Sequence, residues 1–313
     1  MRVLTHSSAN EPWLTRCRRD LRRNKGAYLL VIPVIVFYIL FCYKPMYGAL
    51  IAFKDYSPRL GLSGSAWVGL KNFRDFFTSP DFARLLRNTL TISITNLIFA
   101  FPAPILLALC LNEITNNGLR RVVQTASYMP HFISLVVVCG MIKTFVGTDG
   151  IISSVVGHFG GRSTNLLTEP DMFLPVYVIS DIWQGIGWES IIYLAALAGI
   201  DVEQYEAADI DGAGRMARMF NITLPAIQTT IITMLILRVG RLMNLGYEKI
   251  ILLYNPAIYK TSDVISSYVY RMGFETQNWG YSTAVGLFNS VINLFLLAGA
   301  NMLSKKMTDS SIW

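Results

Sequence analysis

The sequence predicts an all-α polytopic membrane protein, and three observations carry that prediction. Of 313 residues, 53% are hydrophobic and only 15% charged, where an average soluble chain carries about 25% charged residues. The mean hydropathy is +0.43. Stretches close to the roughly 20 apolar residues that cross a bilayer recur along the chain. A soluble fold of this length has too few charges to cover so much apolar surface, whereas lipid solvates it directly. Lipid offers no partner to backbone N–H and C=O groups, so each spanning stretch must be helical.

Six stretches qualify, at 27–43, 89–111, 124–145, 173–200, 226–245 and 284–303. A basic stretch precedes the first, which has no small-residue cleavage pattern, so it reads as an uncleaved span and not as a signal peptide. Pro33, Pro102, Pro104, Pro130 and Pro175 fall in or beside spans. The pair around Ala103 predicts a bend in the second helix, serving either packing or a pathway. Between the first two spans, Leu70, Phe73, Phe77 and Leu85 alternate with Lys71, Arg74, Asp75, Arg84 and Arg87. That pattern predicts an amphipathic stretch, broken near Ser79 and Pro80, lying on the outer surface or docking a partner.

Orientation follows the cations. Arg16, Arg18, Arg19, Arg22, Arg23 and Lys25 precede the first span and put the N-terminus in the cytoplasm. Six crossings return the C-terminus to the same side, where Lys305 and Lys306 follow the last span. Arg120 and Arg121 also fall inside. The net charge of +7 therefore belongs to cytoplasmic loops; no nucleic-acid-binding pattern accompanies it. Cys17, Cys42, Cys110 and Cys139 lack CxxC spacing and read as reduced fillers. His6, His131 and His158 are isolated and no metal-ligand cluster is evident, which argues against a membrane enzyme. No internal repeat or low-complexity tract is present.

The segment between spans four and five is the most informative. Asp201 is placed to cap a helix, with Gln204 as capping-box partner. Gly212 ends that helix or lets another chain come close. A second short helix is expected over 215–220, and Pro225 suits the start of the fifth span. The result is a helix–glycine–helix hairpin carrying small residues (Ala207, Ala208, Gly212, Ala213) and acids (Glu206, Asp209, Asp211) able to accept bonds from partner arginines.

The run Glu206, Ala207, Ala208, then Asp211, Gly212, Ala213, then Phe220, Ile222, Leu224 and Pro225 resembles the EAA loop of ABC importer permeases. Trp67-Val-Gly-Leu-Lys-Asn-Phe73, Leu86-Arg-Asn-Thr-Leu90, Gly118-Leu-Arg-Arg-Val122 and Tyr128-Met-Pro-His-Phe132 resemble the binding-protein-dependent carbohydrate-uptake branch (maltose-type), in particular its polysaccharide-fragment permeases. The likeness leaves residues 1–26 as a basic cytoplasmic tail and makes 27–313 the permease domain. It implies a six-helix permease of a bacterial cytoplasmic membrane, with both termini inside. Its partners would be a second homologous permease, a dimeric cytoplasmic ATPase, an extracytoplasmic solute-binding protein and an oligosaccharide. The hairpin becomes a coupling helix seated in the ATPase, with Glu206 and Gly212 as the first contacts. The chain has no G-x-x-x-x-G-K-[ST] of its own, so ATP and magnesium belong to the partner.

Ionisable residues inside spans default to function. Asp181, Gln184, Gly185 and Trp188 share a helical face, and Arg238 and Arg241 share another. The resemblance places cargo contacts in the spans flanking the loop, hence at Gln184, Trp188, Arg238 and Arg241. The alternative is an internal salt bridge from Asp181 or Glu189 to an arginine. Arginines facing the cargo would favour an acidic, uronate-containing sugar. The outer segment 247–283, with Tyr254, Tyr259, Tyr268, Tyr270 and Trp279, either meets the binding protein or forms an interfacial aromatic belt. A secondary transporter or channel is the rival class, and an amino-acid or metal-complex permease the rival within the family.

Overall fold

Polar side chains point inward along the second span. In the computed structural model, which describes residues 20–21, 23–159 and 164–308, helix α3 (Asp81–Ala100) buries Leu85, Asn88, Thr89, Ile92, Ser93, Asn96 and Ala100. These recur at helical spacing along one stripe, while Ile94, Ile98 and Phe99 are exposed. Such an inverted pattern suits lipid, where polar groups find partners only inside the protein. The helix breaks at Phe101 and resumes as α4 (Pro102–Glu113), together one candidate span from Asp81 to Glu113. The break falls where two prolines withdraw backbone donors, as expected from Pro102 and Pro104.

Contacts divide the chain into two units, meeting between Ile51 and Ala52. In the first, α1 (Lys25–Phe37) runs on through a π-turn at Tyr38–Tyr43 and makes up most of a candidate span that begins at Lys25. Its side chains from Lys25 to Tyr43 are exposed. The basic residues Arg16, Arg18, Arg19 and Arg22, together with Cys17, lie outside the described residues.

The second unit opens with a two-residue ribbon, β1 (Lys54–Asp55) against β2 (Ala66–Trp67), antiparallel with Lys54 opposite Trp67. Helix α2 (Lys71–Thr78) follows, and Ser79 and Pro80 separate it from α3. The expected amphipathic helix is present, but its buried residue is Phe76, packed edge-on against Phe82 and Phe288. Next come α5 (Asn117–Tyr128), α6 (Leu135–Val146) and α7 (Ile151–His158). Then α8 (Phe173–Leu197), the hairpin helices α9 (Val202–Ile210) and α10 (Arg215–Arg218), and α11 (Gln228–Val239). The chain closes with α12 (Tyr247–Leu253), α13 (Ile265–Tyr270) and α14 (Trp279–Thr308).

Among the described residues four helices are long and apolar enough to cross a membrane, or up to six if each of two bent pairs counts as one span. Two expected spans need correction. The third was expected at 124–145, yet 124–128 belongs to α5, a separate amphipathic helix. Pro130 interrupts the chain, and Ser134 caps α6 by accepting from the Val137 N–H at 3.4 Å. The span therefore runs Leu135–His158. The fifth was expected to reach 245, but α11 stops at Val239, and Gly240 packs so tightly on Leu297 that an added Cβ would lie 2.5 Å from its Cδ1.

Three apolar clusters hold the second unit together. One joins α6, α8 and α12 through Val138, Ile142, Phe173, Tyr177, Ile250 and Leu253. Another joins α2, α3, α13 and α14 through Phe76, Leu85, Tyr268 and Val285. The third ties α4 to the lower part of α8 and to Ile227 through Ile105, Leu109, Tyr193 and Leu197. Among the described residues the cysteines are unpaired: Cys42 and Cys110 are exposed and Cys139 is buried.

Candidate functional site

The hairpin is built locally. Asp201 caps α9, its carboxylate accepting from the Glu203 N–H at 3.1 Å, with Glu203 itself in the favourable first turn. The expected capping box does not form: the Asp201 carboxylate takes Glu203 at the second helical position, and Gln204 bonds only through its backbone N–H to the Asp201 carbonyl at 3.3 Å. At the other end Gly212 has φ +74°. Its N–H donates to Asp209 O at 3.1 Å and the Ala213 N–H to Ala208 O at 2.9 Å. That pair of bonds is a Schellman motif, which requires a left-handed residue at this position. Gly212 thus ends the helix, and conformation explains it: within this chain an added Cβ would meet nothing within 4 Å.

Helix α10 is shorter than expected and passes into a π-turn at Met219–Thr223. Asp209 pairs with Arg218, and the Tyr205 and Thr223 hydroxyls meet at 3.0 Å, so the two arms are stapled. Helix α9 leaves α8 at a 75° bend and the second arm meets α11 at 60°. Glu206, Ala207, Asp211 and Gly212 are exposed; Ala208 and Ala213 are half-buried. Beside them Val202, Met216 and Phe220 are exposed, and Ile210 is 87% exposed. The tip of the hairpin is therefore apolar and exposed.

The second site is a cavity of about 540 Å³ walled by α3, α8, α11 and α12. Asp181, Gln184, Glu189, Arg238, Arg241 and Lys249 line it, so three cations face two carboxylates. Most of them form one network. Asp181 Oδ1 accepts from Lys249 Nζ at 3.0 Å, and its Oδ2 from Asn96 Nδ2 at 2.9 Å. Arg238 Nη1 donates to Glu189 Oε1 at 3.0 Å, while Nη2 donates to Asn96 Oδ1 at 3.3 Å and lies 3.8 Å from Asp181 Oδ2. Lys249 also sits over the Tyr177 ring, 4.8 Å from its centroid. Arg241 has no ion-pair partner among the described residues.

The structure thus brings Gln184, Arg238 and Arg241 to the cavity and leaves Trp188 out of its lining. Trp188 instead stacks face to face on His131 at 4.5 Å, half-exposed, because Gly187 clamps that side of α8 against α5. A Cβ there would lie 2.1 Å from Ser127 O. The expected alternative of an internal salt bridge is realised for Arg238. Asn96 and Lys249 are functional candidates that sequence reasoning missed. The signal for Lys249 is present, since it directly precedes the apolar run 250–253, but hydropathy places that segment in an outer loop. Of the outer aromatics, Tyr268 is buried in the core, and Tyr254 and Tyr259 pack on each other at 4.9 Å.

Residues 100–309 match the family model described as binding-protein-dependent transport system inner membrane component. Protein LplB of Bacillus subtilis is 48% identical, over 94% of this chain and 92% of its own length. The polygalacturonan/rhamnogalacturonan transport system permease protein YteP of the same organism is 43% identical with the same coverage. Two crystal structures concern bacterial alginate transport. One is of a bacterial ABC transporter involved in the import of the acidic polysaccharide alginate; it superposes with TM-score 0.86 at 41% identity, covering 94% of this chain and 99% of that one. The other, a complex with an alginate pentasaccharide-bound periplasmic protein, matches at 0.86 and 40% with the same coverage.

Proposed function

The chain belongs to the family of binding-protein-dependent transport system inner membrane components, and on that premise we propose that it is the membrane-spanning permease subunit of an ABC importer whose cargo is an acidic oligosaccharide. The observation that carries the acidic cargo is the cavity's charge: three cations against two carboxylates, with Arg241 left without an ion-pair partner. A guanidinium in a partly enclosed site matches a sugar carboxylate in bidentate fashion. The alginate importer, of the same fold, handles an acidic polysaccharide.

In this reading the cargo arrives from an extracytoplasmic binding protein and passes between this chain and a second permease. The wall of the pathway in this chain is Gln184, Arg238 and Arg241. Trp188 keeps a cargo role only as an aromatic contact outside the cavity. The chain is a transporter without catalysis of its own; ATP and magnesium act on a cytoplasmic ATPase dimer. The bare apolar tip around Ile210, the acids Glu206 and Asp211, and Gly212 supply the surface that docks there. Closure of the ATPase would move the hairpin as a rigid body, because both its arms are stapled, and the 75° and 60° bends would pass that movement to α8 and α11. Both termini then face the cytoplasm, following the lysine and arginine bias.

The test is ATP hydrolysis and uptake by the reconstituted complex, with the cognate binding protein carrying an alginate pentasaccharide. Arg241→Gln is expected to lower uptake about tenfold while melting with the wild type. Glu206→Lys is expected to abolish stimulation by cargo. Uptake by Arg241→Gln at the wild-type rate would sink the acidic-cargo reading, and normal stimulation in Glu206→Lys would leave Glu206 a surface acid.

A further inference from the structure

Arg238, Lys249, Asp181 and Glu189 are an unusual outlay for a cavity wall: two cations already neutralised by two carboxylates of the same chain. If cargo binding alone were the purpose, free cations would serve better. The geometry explains the carboxylates in another way. Glu189 and Asp181 sit on α8, Arg238 on α11 and Asn96 on α3, so the network closes a ring through three helices, with Lys249 of α12 joined to it at Asp181. Helix α8 enters the hairpin and α11 leaves it. Glu189 lies eight residues above the end of α8 at Leu197, about 12 Å at 1.5 Å per residue. Below it the two helices share the apolar cluster of Tyr193, Leu197 and Ile227 with Ile231 and Met234 packed on it. Above that cluster their tie is ionic. Any motion of the hairpin that draws α11 away from α8 above that cluster must stretch the Arg238–Glu189 contact.

The contact is also within reach of a solute. The Glu189 side chain is 40% exposed and Arg238 32% exposed, both facing the cavity. We propose that Asp181 and Glu189 are internal counter-ions that occupy the pathway cations until a cargo carboxylate takes their place on Arg238, releasing α11 from α8. The network is then a lock keyed to anionic sugars, and it rests on the acidic-cargo reading above. Exchange of one carboxylate for another preserves the charge-assisted bonds of the guanidinium, which are about twice as strong as neutral ones. A neutral hydroxyl offers no such exchange and leaves an uncompensated charge in a partly enclosed site. Neutral sugars would be refused at this step even when they fit, because opening the lock for them is a net loss.

The experiment uses the full reconstituted complex, permeases with ATPase and binding protein, in proteoliposomes. Cargo-independent ATP hydrolysis is measured for the wild type, Glu189→Gln and Glu189→Asp. Wild-type uptake of an alginate pentasaccharide is compared with that of its carboxyl-reduced, neutral counterpart. Glu189→Gln is expected to hydrolyse ATP without cargo at least about fivefold faster than the wild type, the lower end of typical coupling between sites. Glu189→Asp, which keeps the carboxylate, is expected to stay near the wild type. Should Glu189→Gln fail to assemble, Asp181→Asn removes the other counter-ion and is read in the same way. Unchanged basal hydrolysis together with a wild-type preference for the charged sugar overturns the lock and leaves the cargo reading standing. Equal wild-type uptake of the two sugars overturns the cargo reading, and the lock with it.

Discussion

Two ionic clusters in this molecule use the same chemistry to opposite ends. At Asp263 a carboxylate with 0% exposure takes Arg271 Nη2 at 2.6 Å and Nη1 at 3.1 Å, Arg84 at 3.3 Å and the Ser267 hydroxyl at 2.9 Å. Asn88 of α3 reaches the backbone carbonyls of Lys260 and Asp263. At Asp181 and Glu189 the carboxylates likewise meet two cations and an asparagine of α3, but 30% and 40% of their side chains are exposed to a cavity. In the first cluster the carboxylate itself is sealed, while Arg84 keeps 35% of its side chain exposed. For Arg271, burial works against the charged form, yet the bonds and charge of Asp263 outweigh it and hold the guanidinium above its ordinary range. The second is open to exchange. Access by solvent, more than the identity of the partners, separates a staple from a switch.

The largest expected effect lies at the sealed cluster. Asp263→Asn leaves Arg271, and part of the hold on Arg84, without a counter-charge in a buried site. Removing one partner of a buried pair costs about 3–5 kcal/mol. The variant is expected to reach the membrane poorly, and what is purified in detergent should melt far below the wild type. A near-normal melting curve would show that the cluster is hydrated and that the two clusters differ less than their burial implies.

Next is Gly212→Ala. Its Cβ meets no other atom of the chain, so the cost is conformational: a non-glycine residue in the left-handed region loses about 1–2 kcal/mol. Since α9 buries none of its own residues, that cost falls on the hairpin alone. Folding of the spans should be unaffected, while cargo-stimulated ATP hydrolysis falls several-fold. If stability and stimulation fell together, the hairpin would be part of the core and not a separate lever.

These two sites also differ in how far they could be read from the sequence. The hairpin was legible because its determinants are local: Asp201, Gly212 and Pro225 act within a few residues of themselves, and the Schellman bonds span six residues. The all-helical class was legible for the same reason, as hydropathy is a sum over neighbours. The span limits at 135 and 239 were less so. Pro130 and Ser134 can be seen in the sequence, but that α5 is a separate helix depends on α8 coming close at Gly187. The ionic clusters were not legible. Asp181 and Lys249 are 68 residues apart, and Arg84 and Asp263 are 179 apart. Nothing short of the fold pairs them. Arg238 was flagged as either a cargo contact or a salt bridge, and composition could not choose because both uses want an arginine inside a span.

The smallest expected effect on stability is the one that tests the comparison most closely. Glu189→Gln removes a charge from a pair whose members are 40% and 32% exposed. Pairs open to solvent contribute about 0–1 kcal/mol, and Arg238 keeps Asn96 at 3.3 Å and Asp181 at 3.8 Å after the change. The variant should therefore melt within a degree or two of the wild type, far above Asp263→Asn. Basal ATP hydrolysis by the complex that carries it should nevertheless rise, because the lock on α11 is lost. A switch contact is recognised by that dissociation: removing it changes which conformation is occupied far more than it changes whether the chain is folded. If Glu189→Gln instead melts as low as Asp263→Asn, then the cavity pair is a staple too, exposure is a poor guide to exchange, and the difference between the clusters is one of position only.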